Sequence, residues 1–219
     1  MNPGELSNTQ RGSRQRDAIR LLFVLKAGCE PLLHEDESGA SHIFRGEARL
    51  HAMDFWVRYP DYLADELLDL YEQKHDASLI EQVRRIFTED EPDLRRIPMM
   101  RWRWGAFDRI DTAIAHLAVS KLIKLRKRQS GKKTIENEFL LFPDAISLVD
   151  RIPKEFPVLS WYDRRTRLVA WLAGDQGGND LKQQQHKRIE YHATPMGQSI
   201  PPIKDQVWAR FRKLTEAAA

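Results

Sequence analysis

The sequence contains a single cysteine, Cys29, among its 219 residues. One cysteine excludes an intramolecular disulfide and a zinc site built from several thiolates, and this usage fits a reducing cytoplasm. No apolar run approaches the roughly 20 residues that span a bilayer. Segment 1–16 is polar and lacks the apolar core of an export signal. The sequence therefore predicts a flexible tail at 1–16 and a cytoplasmic protein without membrane contact.

Recognisable catalytic motifs are missing as well. The sequence has no Walker loop, GxGxxG turn, serine nucleophile elbow or HExxH pair. Its seven histidines are scattered without a compact pair that has acidic support, so they predict no metal site. These absences indicate a protein that is not an enzyme and that needs no cofactor.

One string matches the letters of metal-dependent nucleases, namely Pro60-Asp61 followed by Glu72-Gln73-Lys74. That chemistry needs two carboxylates converging on one divalent cation. Residues 62–71 have a helical apolar period, and 11 helical positions separate the two carboxylates by roughly 16 Å along the axis. Asp61 is therefore expected to cap a helix, and a Mg²⁺-dependent nuclease is only a third hypothesis.

Charge is unevenly distributed, although the net charge is only +3. Segment 54–90 has 4 Lys/Arg against 10 Asp/Glu, whereas segment 91–133 has 12 against 4. A basic cluster can neutralise phosphates, while an acidic segment would repel DNA and suits a protein partner. Two solvated faces without a ligand are an equally good explanation of the same pattern.

Apolar residues at helical spacing predict that the N-terminal half is helical. Short connections between the helices favour a compact bundle over 17–90. Residues 28–43 form a polar loop in this interpretation. The expected helices are 17–26, 45–59, 61–74 and 77–88.

Residues 106–142 carry the most specific pattern. An amphipathic helix with Ile110, Ile114 and Leu117 on one face leads into a basic strand, a Ser130-Gly131 turn and a second strand. A helix followed by a basic hairpin is how a winged-helix domain ends. The sequence thus predicts a mostly α protein with one small β-hairpin. The expected parts after 17–90 are a winged-helix-like region at 91–156 and appended C-terminal helices at 157–219.

Cations in this predicted wing are the candidates for contact with DNA. Alternation along a strand places Lys124, Arg126 and Arg128 on one face and Lys127 on the other, with Ile123. A basic wing can bind backbone phosphates without reading sequence. Lysines also protect solvated hairpins from aggregation, which is the alternative. The candidate DNA-binding residues are Lys124, Arg126, Lys127, Arg128, Lys132 and Lys133.

Arginines and tryptophans interleave just before this region. Such mixtures are favoured at protein interfaces, although arginines at the edge of a core are a structural alternative. The candidate partner-binding residues are Arg101, Trp102, Arg103 and Trp104.

Three stretches resemble a family of bacterial proteins: 45–68 (RGEARLHAMDFWVRYPDYLADELL), 98–105 (PMMRWRWG) and 138–143 (EFLLFP). The chain over about 45–155 resembles the middle components of three-component ATPase systems, including the small accessory subunit of Lamassu-type anti-phage defence. This resemblance implies a non-catalytic winged-helix adaptor. Its implied partners are an SMC/Rad50-like ATPase and an effector that is often a nuclease, with weak and non-specific contact to double-stranded DNA.

A stand-alone winged-helix transcriptional regulator is the alternative. Such a protein would dimerise and would bind one particular duplex much more tightly than others. The two functions differ in whether the protein is recovered with a large ATPase or alone.

Overall fold

The structure is a computed structural model that describes residues 3–34, 36–89, 96–103, 105–131 and 133–217. Helices predominate, and they are accompanied by a small antiparallel sheet. The predicted mostly α class with a small β-hairpin is confirmed. The helices are α1 Pro3–Gly28, α2 Glu47–Arg58, α3 Pro60–Lys74, α4 Ala77–Thr88, α5 Asp111–Val119, α6 Pro143–Glu155, α7 Ser160–Ala173, α8 Gly178–His186, α9 Ile189–Ala193 and α10 Lys204–Ala217.

The strands form two separate antiparallel sheets. The strands are β1 Glu30–Pro31, β2 His42–Arg45, β3 Met100–Trp102, β4 Gly105–Phe107, β5 Ile123–Ser130 and β6 Lys133–Leu141. A four-stranded sheet has the order β1-β2-β6-β5, and β3 and β4 form a two-stranded sheet. An isolated antiparallel bridge also joins Met100 of β3 to Ser199. Strand β1 and the start of β2 lie in 28–43, the segment that was predicted to be a loop. Both strands are too short to show a clear alternation.

The chain groups into two compact units, and it passes from one to the other three times: within α2, between Phe107 and Asp108, and within α8. The first unit combines the chain up to Met53 with Asp108–Leu181, and the second combines Asp54–Phe107 with the chain from Lys182 onward. The segments predicted from the sequence, 17–90 and 91–156, cut across both units. Their boundaries followed the local pattern, whereas contacts join residues far apart in the chain.

The first unit has the connectivity of a winged helix. Its order is α1, β2, the start of α2, then α5, β5 and β6, with β2 and β5 both antiparallel to β6. Ile43 of β2 lies opposite Leu140 of β6. Residues 54–107, which belong to the second unit, lie in the chain between the start of α2 and α5. The sequence pattern placed the start of the winged-helix-like part at residue 91. In the structure this part already includes α1 and β2.

Helix α1 is the central helix of the first unit. Its segment 21–25 is buried on every side, and α1 packs against α5, α6 and α7. Full burial of each such apolar side chain contributes about 1.5–3 kcal/mol. The helix begins at Pro3, so residues 3–16, for which the sequence predicted a flexible tail, are helical. That polar stretch has no apolar stripe from which its helical conformation could be predicted.

Tyrosine hydroxyls hold the second unit together. The Tyr59 hydroxyl accepts a hydrogen bond from the Met99 amide at 2.9 Å and donates to the Ile200 carbonyl at 3.0 Å. The Tyr62 hydroxyl donates to the Pro201 carbonyl at 3.0 Å. The bonds of Tyr59 satisfy backbone groups that would otherwise be buried without a partner.

The acidic face of α3 is largely neutralised within the second unit. The Arg210 guanidinium bonds to Asp65 at 2.5 Å and to Asp69 and Glu72 at 2.6 Å. The Arg188 guanidinium also contacts Asp65 and Asp69, at 2.9 and 2.6 Å. Burial raises the pKa of Asp69, but bonds from Arg188 and Arg210 outweigh it and lower that pKa overall. Much of the acidic segment therefore holds α3 to the C-terminal helices.

Among the described helices, none combines the length and the apolar character needed to cross a bilayer.

Candidate functional site

The predicted basic hairpin is formed by β5 and β6. Ile123 pairs with Leu141 at its base, and Ser130 pairs with Lys133 at its tip. Gly131 adopts a φ of +60° in the turn, a left-handed conformation that favours glycine. A bulge between Arg128 and Gln129 shifts the register near the tip. The sequence prediction of a hairpin turning at Ser130-Gly131 is thus confirmed.

The arginines of the hairpin are paired with carboxylates across the strands. Arg126 lies opposite Glu138 and donates from Nε to its Oε2 at 2.8 Å, and it also donates to Asp36 at 3.2 Å. Arg128 lies opposite Glu136 and donates to it at 2.9 Å. These two guanidiniums are therefore engaged within the unit.

Glu138 is the centre of this polar face. The residue is only 3% exposed, and besides Arg126 its carboxylate has Arg128 at 3.9 Å and Arg45 of β2 at 3.7 Å. Arg45 also pairs with Glu30 of β1. Opposite charges directly across antiparallel strands stabilise the pairing. The face that the alternation predicted to be cationic is in fact a mixed ladder of arginine and glutamate.

The lysines of the hairpin are placed differently from the arginines. Lys124 and Lys127 are exposed, and Lys127 forms no ion pair with any residue that the structure describes. Lys124 is close enough to Asp36 to help to lower the pKa of that carboxyl, which hydrogen bonds from Ser38 lower most. For Lys133 only the backbone is described, and Lys132 lies outside the described residues.

Helix α5 corresponds in the order of elements to the helix that enters the major groove in DNA-binding winged helices. Ile110, Ile114 and Leu117 are buried, as their spacing predicted. The exposed face of α5 carries a carboxylate and small or neutral side chains in place of cations: Asp111, Thr112, Ala115, His116 and Val119. A surface of this composition provides little for base or phosphate contact.

The arginine–tryptophan segment forms the hairpin of β3 and β4 in the second unit. Met100 and Trp102 lie on one face of β3 and are 44% and 52% exposed. Arg103 is exposed, and Trp104 lies outside the described residues. Two large apolar side chains therefore face solvent together on β3.

Arg101 supports this hairpin from the opposite face. Its amide donates to the Gln198 carbonyl at 2.8 Å, and its own carbonyl accepts from the Gly197 amide at 2.7 Å. Its guanidinium lies 5.7 Å from the centre of the Tyr191 ring. Of the four predicted partner-binding residues, Trp102 and Arg103 are accessible, whereas Arg101 is committed to the fold.

The nuclease-like string lies on α3, with helix between its two carboxylates as predicted. Asp61 is fully buried, and its side chain accepts from the Ile203 amide at 2.6 Å and the Tyr62 amide at 3.1 Å. Burial raises the pKa of Asp61 above its ordinary range, against the effect of these bonds. Asp61 is not the N-cap, because that position is occupied by Tyr59. In the part of the chain that is described, no three His, Cys, Asp or Glu side chains could together hold a metal ion.

No family model, curated protein or solved structure matches the chain.

Sequence reasoning missed the carboxylates that engage the basic strand. Glu136 and Glu138 alternate along β6, so their common face was open to prediction once the two strands were paired. Asp36 lies in the loop between β1 and β2, about 90 residues from Arg126 in sequence. No local pattern could have placed Asp36 beside that arginine.

Proposed function

We propose that this chain is a non-catalytic adaptor subunit whose exposed surfaces dock other proteins. In this proposal it acts in the cytoplasm as the accessory subunit of an SMC/Rad50-like ATPase complex that works on DNA, in bacterial defence against phages or plasmids. An effector, which in such complexes is often a nuclease, would be its other partner.

The internal pairing of the wing arginines is the observation that carries this proposal. Arg126 and Arg128 bond to Glu138, Glu136 and Asp36 at 2.8–3.2 Å. A DNA phosphate would have to displace these carboxylates, so among the described side chains of the hairpin the cations that remain for DNA are Lys124 and Lys127. The result is weak and salt-sensitive contact with DNA.

Exposed apolar groups supply the complementary support. Trp102 in the second unit and Val119 on α5 in the first are 52% and 85% exposed. Tryptophan is a frequent anchor of protein interfaces. The sequence resemblance adds the expected identity of the partner, namely the ATPase.

Co-expression with the flanking genes tests this function. The tagged chain is expected to co-purify with a large ATPase in a defined ratio that persists at about 0.3 M salt, where exposed charge pairs are largely screened. Recovery of the chain alone, in a form that binds one duplex tightly, would contradict the adaptor function.

The winged-helix connectivity keeps a DNA-binding regulator as the second candidate. Two double variants separate the possibilities. Lys124→Gln with Lys127→Gln is expected to weaken duplex binding at low salt by roughly tenfold, because two phosphate contacts are lost. Arg126→Gln with Arg128→Gln removes the same charge but no phosphate contact, so it is expected to weaken duplex binding clearly less, through the carboxylates that it leaves unpaired. A regulator would instead lose sequence-specific binding with both.

A further inference from the structure

The outer edge of β5 is open within the described part of the chain, because this strand ends the four-stranded sheet and no described strand pairs with its outer side. The Phe142 amide donates to the Leu122 carbonyl at 3.1 Å. Bonded and non-bonded pairs alternate along antiparallel strands, so the backbone groups of Lys124 also point to β6. The backbone N–H and C=O groups of Leu125 and Lys127 consequently point to the open edge.

An apolar groove of about 780 Å³ runs beside this edge. Its walls are Ala118 at the end of α5, Ile123 and Leu125 of β5, and Phe142-Pro143 at the start of α6. Leu125 is 46% exposed. Proteins usually cover or charge an open strand edge that adjoins apolar surface, since it invites strand addition.

The rim of the groove is mainly basic. Lys121 and Lys124 line it, and Lys127 lies further along the open edge. Asp144 is the one carboxylate among the described lining residues. A ligand that carries carboxylates beside its apolar residues would complement this rim.

We propose that this groove binds an extended segment of the partner protein, in which apolar residues are interspersed with Asp or Glu. The segment adds a strand to β5: its backbone bonds to the outward groups of Leu125 and Lys127, and its apolar side chains fill the groove. Its carboxylates face Lys121 and Lys124. This binding mode is known as strand addition. The inference rests on the proposed adaptor function and specifies the surface and the partner chemistry.

Two other occupants fit less well. A nucleic acid would place phosphates against the apolar walls formed by Leu125 and Phe142. A second copy pairing through β5 would bring two equally basic strands together, and like charges across strands destabilise pairing. An acidic, apolar segment avoids both conflicts.

Overlapping synthetic peptides that span the sequence of the co-purifying protein are the probe. Fluorescence polarisation with the full chain is expected to find one binding segment, with apolar and acidic residues, whose affinity falls with salt. Leu125→Pro removes an outward amide that does not bond to β6, and it is expected to weaken binding about tenfold, as loss of a hydrogen bond and steric exclusion would do.

A second variant protects the test against misfolding of the hairpin. Lys121→Glu with Lys124→Glu changes two exposed side chains and is expected to weaken the same peptide about tenfold. Lys187→Glu with Lys213→Glu makes the same charge change in the second unit and should leave the affinity unchanged. Thermal melting verifies that each variant is folded.

The outcomes separate the two proposals. If a stable complex forms but no peptide binds, the groove proposal is overturned and the adaptor function stands. The same holds if a peptide binds and neither groove variant weakens it. Absence of any co-purifying protein overturns both. A dimer of this chain that Leu125→Pro dissociates overturns strand addition by a partner in favour of self-association.

Discussion

Arg126 and Glu138 lie directly opposite each other on β5 and β6, joined by a hydrogen bond of 2.8 Å from Nε to Oε2. The carboxylate is buried and also has Arg128 and Arg45 within 4 Å. The arginines of the basic strand are therefore not free to bind phosphates, because they already have anionic partners. These arginines of β5 instead stabilise the sheet by pairing with its carboxylates.

Glu138→Gln tests whether this carboxylate restrains the arginines. The variant is expected to bind duplex DNA more tightly at low salt, with a salt dependence steeper by about one phosphate contact. It should lose about 1 kcal/mol of stability, a modest amount because the arginines are about half exposed. Anisotropy titrations at several salt concentrations measure the binding.

Glu155→Gln is the matched control for that experiment. Glu155 pairs with Arg151 on the surface of α6, so the substitution makes the same change in net charge away from the wing. Equal gains in DNA affinity from both variants would mean that only net charge matters, and the restraint by Glu138 would be refuted.

Trp102→Ala is expected to reduce recovery of the partner complex while the chain stays soluble and folded. The side chain is 52% exposed, so its loss removes contact area for a partner and little internal packing. Trp171→Ala is the control, since Trp171 is similarly exposed, at 54%, in the first unit. Quantitative pull-downs compare the two. Equal recovery with both variants would remove Trp102 from the interface.

Tyr59→Phe is expected to destabilise the protein by about 1–3 kcal/mol, because it leaves the buried Met99 amide and Ile200 carbonyl without their partner. Urea unfolding gives the free energy. Tyr71→Phe is the control, because the Tyr71 hydroxyl has no hydrogen-bond partner within the described residues. A Tyr59 variant as stable as the control would show that these backbone groups find water or another partner.

The lowered pKa of His186 predicts that the protein loses stability on mild acidification. Burial lowers its pKa below the ordinary 6.5, and the positive charges of Arg101, His192 and Lys182 lower it further. Below about pH 6.5 the unfolded chain therefore takes up a proton more readily than the folded chain, so the free energy of unfolding falls as the pH falls. His186→Gln should flatten this dependence in thermal melts. A variant that is as sensitive to mild acid as the wild type would contradict the prediction.

Local patterns predicted the helices and the hairpin well, because they depend on short-range periodicity. Leu117 faces the core at the expected spacing, and the chain turns at Gly131. The same logic failed for α1, where residues 3–16 are helical without an apolar stripe. It also failed for β1 and β2, which are too short to show alternation.

The sequence predicted where the candidate residues lie in the chain, but not which of their charges are paired. The sequence located the cations of β5 and the exposed Trp102. It could not reveal that the Arg101 guanidinium lies near the Tyr191 ring, 90 residues away in sequence. Nor could it reveal that no strand of the described chain pairs with the outer edge of β5, beside an apolar groove.

The mostly α class, the basic hairpin and the helical spacing that separates Asp61 from Glu72 could all be predicted from local sequence patterns. Each of these follows from residues close together in the chain, whose periodicity and turn chemistry act locally. The pairing of β2 with β6 and the neutralisation of Arg126 by Asp36 and Glu138 became visible only in the folded chain. Charge pairing and strand order depend on which distant segments meet, and that is set by burial of the whole core.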